Sequence, residues 1–152
     1  MFAFLQGRGF LGTRGSVGSD VSLIIMLLAA VLLTVGWRLA VGKKLEAHHW
    51  VQTAAVCLNT IPVAVWMIRF FVLYVVPVLP ADLNQGKYVL ITVHAIVGAI
   101  GLLLGVAVVL RGNELLPKAL RFGKFTLFMR LSYGLYMLGT ILGLALYFVV
   151  YG

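Results

Sequence analysis

Four long apolar stretches occupy most of this chain, at residues 21–41, 50–76, 88–110 and 131–151. Each runs about 20 residues or more, the length an α-helix needs to cross a ~30 Å hydrocarbon core. Arg38 falls near the end of the first and Arg69 within the second. Hydrophobic residues make up 62% of the chain and charged residues 11%. Soluble domains carry about 25% charged residues. The expected fold is therefore all-α: a polytopic membrane protein built as a four-transmembrane-helix antiparallel bundle, since short connections make sequential helices neighbours. The expected helices span about 21–41, 46–76, 87–111 and 126–151. A glycine-rich lead-in (residues 1–20) precedes the transmembrane domain (residues 21–152). The lead-in lacks the pattern of a signal peptide, and Ser19 or Asp20 is placed to cap the first helix.

The net charge of +8 would suggest nucleic acid in a soluble protein, but its placement argues for topology. Arg38, Lys43 and Lys44 flank the first connection, and Arg111, Lys118, Arg121, Lys124 and Arg130 flank the third. These are eight of the twelve basic residues. By the positive-inside rule these connections face the cytoplasm of a cell inner (plasma) membrane, and both termini lie outside it. The expected contacts are the lipid bilayer, including its anionic lipids, and no nucleic acid. The single cysteine, Cys57, lies within a span and allows no internal disulfide.

The first helix is nearly featureless, and broad exposure to lipid is expected for it. The second holds Pro62, which removes a backbone donor and predicts a kink. In the third, His94, Gly98, Gly101 and Gly105 share one face. The fourth holds a Gly139/Gly143 pair. These five glycines are read as a packing surface, because small residues let helices approach closely in membranes. The alternative is a groove for a flat cofactor with an imidazole at its outer end.

The histidines do not form one ligand set. His49 and His94 sit on opposite sides of the bilayer, ~30 Å apart at 1.5 Å rise per residue. His48 and His49 diverge by ~100° around their helix. A structural metal site needs about four ligands, and none is assembled here. At the depth of His94 lie Arg69 and Tyr147, and the three are expected to form an outer polar cluster. His48, His49, Gln52, Arg130 and Tyr133 form a second, cytoplasmic one. The four acids, Asp20, Glu46, Asp82 and Glu114, are scattered at helix ends and loops. No catalytic constellation follows, so a non-enzyme is expected. A proton-relay transporter is disfavoured for want of intramembrane acids.

Several segments carry a resemblance. FLGTRGS (residues 10–16) precedes the first helix, and AHHWVQTAAVCLNT (47–60) opens the second. LITVHAIVGAI (90–100) holds His94, and FMRLSYGLYMLGTILGLALYFVVYG (128–152) closes the chain. Together they resemble the YozB/CtaM-like family of small bacterial and archaeal membrane proteins, once catalogued only as a domain of unknown function and linked to haem–copper oxidase maturation. Two histidine positions typical of that family are empty here, in RFFVLYVV (69–76) and LRFGKFTLFMR (120–130). The resemblance implies a respiratory-chain setting and a larger membrane complex as partner, with the chain acting as an assembly factor or accessory subunit and holding no cofactor. The alternative it leaves open is haem or copper bound at His94.

Overall fold

The computed structural model describes residues 4–78 and 86–152. Four helices, each long and apolar enough to cross a membrane, make up the body: α1 Val17–Val41, α2 Leu45–Val75, α3 Gly86–Gly112 and α4 Phe125–Tyr151. The described residues form no strand, and the fold is the all-α four-helix bundle that the apolar stretches predict. Most of the expected connection between α2 and α3 (residues 79–85) lies outside the described residues. The bundle is two hairpins, α1 with α2 and α3 with α4, joined along thinner α1–α4 and α2–α3 seams.

The first hairpin turns in three residues. Gly42 N–H donates to Arg38 O at 3.0 Å and Lys44 N–H to Leu39 O at 2.9 Å. Lys43 adopts the left-handed conformation (φ 59°). A left-handed residue just past a helix end lets following N–H groups reach the last carbonyls, which would otherwise go unpaired. Two side chains from the start of α2 then bind back to α1. His48 Nδ1 donates to Gly36 O at 2.8 Å, and Gln52 Nε2 donates to Leu33 O at 3.1 Å.

At Pro62, where a kink is expected, the helix changes type. α2 continues past it as π-helical turns over Val63–Met67, returns to α over Ile68–Phe70, and widens again over Phe71–Val75. Proline cannot donate to the carbonyl four residues back, and its ring crowds that carbonyl. Widening the turn shifts pairing to i−5, as Ile68 N–H to Val63 O shows. Val76 N–H repeats it to Phe71 O at 3.0 Å.

α1 departs from expectation at its start. It starts at Val17, and its cap is Ser16, whose Oγ accepts from Ser19 N–H at 3.3 Å. Gly18, Ser19 and Asp20 lie inside the helix and are all buried. As expected, most of the helix is left uncovered, only 22% of its apolar window being buried. Leu23, Met26, Ala29, Leu33 and Gly36 are buried on one stripe, while Leu27, Leu28, Val31 and Val35 are exposed. A uniformly apolar helix gives no sequence signal of which face packs.

Close approach at the start of α1 depends on Gly18. A methyl group there would lie 2.6 Å from the Trp66 indole of α2. Gly18→Ala is therefore expected to destabilise the protein by about 1–3 kcal/mol, the usual cost of overpacking. Thermal unfolding in detergent reads this out. An unchanged midpoint would show that the indole moves aside freely.

Candidate functional site: a seam cavity and a closed terminal end

All four helices line a small cavity at the seam between the hairpins. It holds about 50 Å³, room for one or two waters or a single ion. Met26 comes from α1, Asn59, Val63 and Met67 from α2, His94 and Gly98 from α3, and Tyr136, Gly139 and Thr140 from α4. The π-helical widening after Pro62 begins at Val63 and ends at Met67, the two residues it contributes to the lining. Such turns often occur at functional sites.

His94 is fixed in this wall. Its Nδ1 pairs with Gly139 O at 3.1 Å. A carbonyl only accepts, so Nδ1 carries the proton, and in the neutral ring the Nε2 lone pair remains available. Gly143 makes the notch that seats the ring. A side chain there would meet Met26 Sδ at 2.7 Å and His94 Cε1 at 2.8 Å. Asn59 is 9% exposed and Tyr136 is 8% exposed. The Tyr136 hydroxyl makes no hydrogen bond of regular geometry, although Asn59 is its polar neighbour. Thr140 donates to Tyr136 O of its own helix at 2.8 Å. The cavity is thus lined by imidazole, amide, phenol and thioether groups.

The glycine stripe divides around this cavity. A Cβ on Gly101 would sit 3.3 Å from Leu135 Cβ, and one on Gly105 would sit 2.8 Å from the Tyr136 ring. Those two glycines pack α3 on α4. Gly98 and Gly139 have nothing within 4 Å of an added Cβ, and both border the cavity. The expected packing surface is real at Gly101, Gly105 and Gly143, and the expected groove survives as a small void beside Gly98 and Gly139.

Tyr147 does not pair with His94. It points to the end of the bundle where the termini meet, donating to Asp20 Oδ1 at 2.5 Å and sharing a 2.7 Å hydrogen bond with Thr13 Oγ1. Arg69 is exposed on α2. Asp20, expected as a candidate helix cap, instead holds this end together, a role that sequence reasoning missed. It has 0% exposure. Phe10 N–H and Leu11 N–H donate to its Oδ2 at 2.6 and 2.8 Å. The lead-in curls over it, held by Gly9 N–H to Gly15 O and Val17 N–H to Gly7 O, both 2.9 Å. Arg14 fastens the loop to the C-terminus through its N–H to Tyr151 O at 3.0 Å and its guanidinium to Gly152 O. Ser19 Oγ donates to Tyr151 Oη at 3.0 Å. The carboxylate also sits in the first turn of α1, where the helix dipole favours negative charge. An Asp in the first turn of an apolar span, preceded by a glycine-rich run, was the available signal.

At the opposite, basic end the expected cluster separates into different ties. His48 and Gln52 bind α1 as described. His49 Nε2 pairs with Asn113 Oδ1 at 3.1 Å, and Asn113 Nδ2 reaches Thr53 Oγ1 at 3.3 Å, so this pair joins α2 to α3. Tyr133 shares a 3.2 Å hydrogen bond with Thr34 and stacks on Trp37. Arg130 is exposed and joins none of these bonds. No group of three or more His, Cys, Asp or Glu side chains with metal-site geometry occurs among the described residues.

Four spans and side chains that tie them together define a multi-pass helical membrane protein. Comparison with protein-family models, with curated proteins and with solved structures finds no match to this chain.

Proposed function

We propose that this chain is a non-catalytic membrane partner, an assembly factor or accessory subunit of a larger electron-transfer complex such as a haem–copper oxidase. One observation carries the reading. Several polar side chains inside the spans join helices, Gln52 to Leu33 O, Thr34 to Tyr133 and His94 to Gly139 O, while large apolar side chains point outward. Trp50, Leu103 and Ile141 are each more than 60% exposed. Such faces are suited to lipid or to the helices of another subunit. The respiratory setting comes from the resemblance of the four quoted segments. The basic connections support cytoplasmic loops and external termini in the plasma membrane.

The test is gentle extraction from native membranes. The chain should migrate with a complex far larger than itself, and deletion should lower the amount of assembled oxidase several-fold. A free monomer, together with intact respiratory complexes after deletion, would sink the proposal.

A second reading rests on the fixed tautomer of His94. Metal-binding histidines commonly donate their other ring N–H to a backbone carbonyl, as Nδ1 does here to Gly139 O. Met26 and Met67 add thioethers to the same cavity, and such soft donors suit Cu(I). Metal analysis of the purified protein against His94→Gln decides this reading. Copper at well below one ion per chain after Cu(I) loading would exclude it.

A further inference from the structure

The last two turns of α1 and the turn after it enclose a groove of about 360 Å³, lined by Thr34, Val35, Arg38, Leu39, Gly42 and Lys44. Its chemistry changes with depth. Arg38 and Lys44 are exposed at the helix end. Val35 and Leu39 lie on the same helix face; Val35 is about one turn deeper than Leu39, which sits at the level of Arg38. Gly42 contributes no side chain and leaves the mouth open. Cations toward the helix end, with Thr34 and Val35 one turn deeper, follow the order of atoms in a phospholipid.

The two cations are available. Neither forms an ion pair with a carboxylate among the described residues. The Arg38 guanidinium lies over its neighbour Trp37, 5.5 Å from the ring centroid, and interfacial tryptophan marks the headgroup level. Trp37 in turn stacks on Tyr133 with centroids 6.0 Å apart. The turn that carries Lys44 is pinned by its own N–H to Leu39 O and by His48 to Gly36 O. Elsewhere at this end, Arg121 folds back onto Leu116 O at 3.0 Å and Glu114 O at 3.4 Å. Its donors are directed at its own loop.

We infer that this groove binds the phosphate headgroup of an anionic phospholipid, with Arg38 and Lys44 on the phosphate, Leu39 beside it and Val35 along the first acyl carbons. Two cations exceed the single charge of one phosphodiester, so a zwitterionic lipid would set its amine against the second cation. A lipid whose headgroup adds no positive charge, such as phosphatidylglycerol, fits better. The inference needs only that this end of α1 meets a membrane surface, and it stands apart from the oxidase proposal.

Native mass spectrometry of the full chain, released from nanodiscs of phosphatidylcholine with a fraction of phosphatidylglycerol, tests it. Wild type should retain phosphatidylglycerol in preference to phosphatidylcholine. Arg38→Gln/Lys44→Gln should lower that retention by roughly tenfold or more, as expected when two cations near a phosphate are removed. Lys118→Gln/Lys124→Gln removes the same charge from the same end and should leave retention unchanged. Both pairs are exposed, and an unaltered melting temperature in neutral detergent confirms that the variants are folded. Equal loss in the two double variants, or no loss in the first, overturns the site. Displacement of the lipid by inorganic phosphate at equal concentration would show that the groove reads a free anion and would overturn the lipid assignment.

Discussion

Asp20→Ala should loosen the terminal end of the bundle and lower stability by ~2 kcal/mol or more. Hydrogen bonds to a charged group contribute about 1.5–3 kcal/mol each, and a buried partner left unsatisfied costs a further 1–3. Here one carboxylate accepts from Phe10 N–H, Leu11 N–H and Tyr147 Oη. The figure belongs at the lower end because only the lead-in loop covers Asp20. Once it is removed, water can reach the orphaned donors. Asp20→Asn should cost less, since its amide oxygen still accepts from the two backbone groups. Tyr147→Phe should cost about 1.5–3 kcal/mol, chiefly for the bond to the carboxylate with the Thr13 bond lost beside it, and leave the two backbone N–H bonds that hold the loop in place. Trypsin offers a second readout. Arg8 and Arg14 lie in the loop, and cleavage there should accelerate in Asp20→Ala but not in Tyr147→Phe. Equal melting and equal cleavage in Asp20→Ala and wild type would mean that the loop holds without the carboxylate.

The same loop marks where sequence reading stopped. Spans are visible because hydropathy adds up along the chain, and all four helices lie where the apolar stretches put them. The first four residues of α1 were missed because Gly18, Ser19 and Asp20 are polar or small, although each is buried. Their burial depends on residues that arrive from far away, Tyr147 and Tyr151 of α4 and Trp66 of α2. The glycines of the lead-in left its order open. Two of them are needed for close approach. A Cβ on Gly15 would lie 3.1 Å from Asp20 Oδ1, and one on Gly9 would lie 2.8 Å from the carboxylate carbon.

The histidines show the converse. Helix-rise arithmetic was enough to keep His49 and His94 apart, because it depends only on position in the span. Naming the actual partners, Asn113 and Gly139 O, required the rotation of each helix about its axis. That rotation comes from packing, which an apolar α1 and a glycine-rich α3 do not encode locally.

Gly105→Leu and Gly98→Ala should move stability in different directions, though both residues lie on the face of α3 that carries the glycine stripe. At Gly105 even a Cβ would stand 2.8 Å from Tyr136 Cε2, 3.0 Å from its hydroxyl and 3.3 Å from Ser132 Oγ. The ring cannot yield easily, since Tyr136 is packed with Leu33, Ala55 and Val56 at the centre of the bundle. Gly105→Ala should cost about 1–3 kcal/mol, in the usual range for overpacking. Gly105→Leu should cost more and part α3 from α4. At Gly98 a Cβ meets nothing within 4 Å. Alanine there fills part of the seam cavity and gains up to about 1 kcal/mol in helix propensity over glycine. The expected order of melting midpoints is Gly98→Ala at or above wild type, then Gly105→Ala, then Gly105→Leu. A cysteine pair across the α3–α4 interface, crosslinked in native membranes, would report separation in the leucine variant directly. If Gly98→Ala destabilises as much as Gly105→Ala, the stripe is packed along its whole length and the void beside His94 does not exist in the membrane. If neither matters, α3 and α4 are held by their outer apolar contacts, and the glycines serve no packing role.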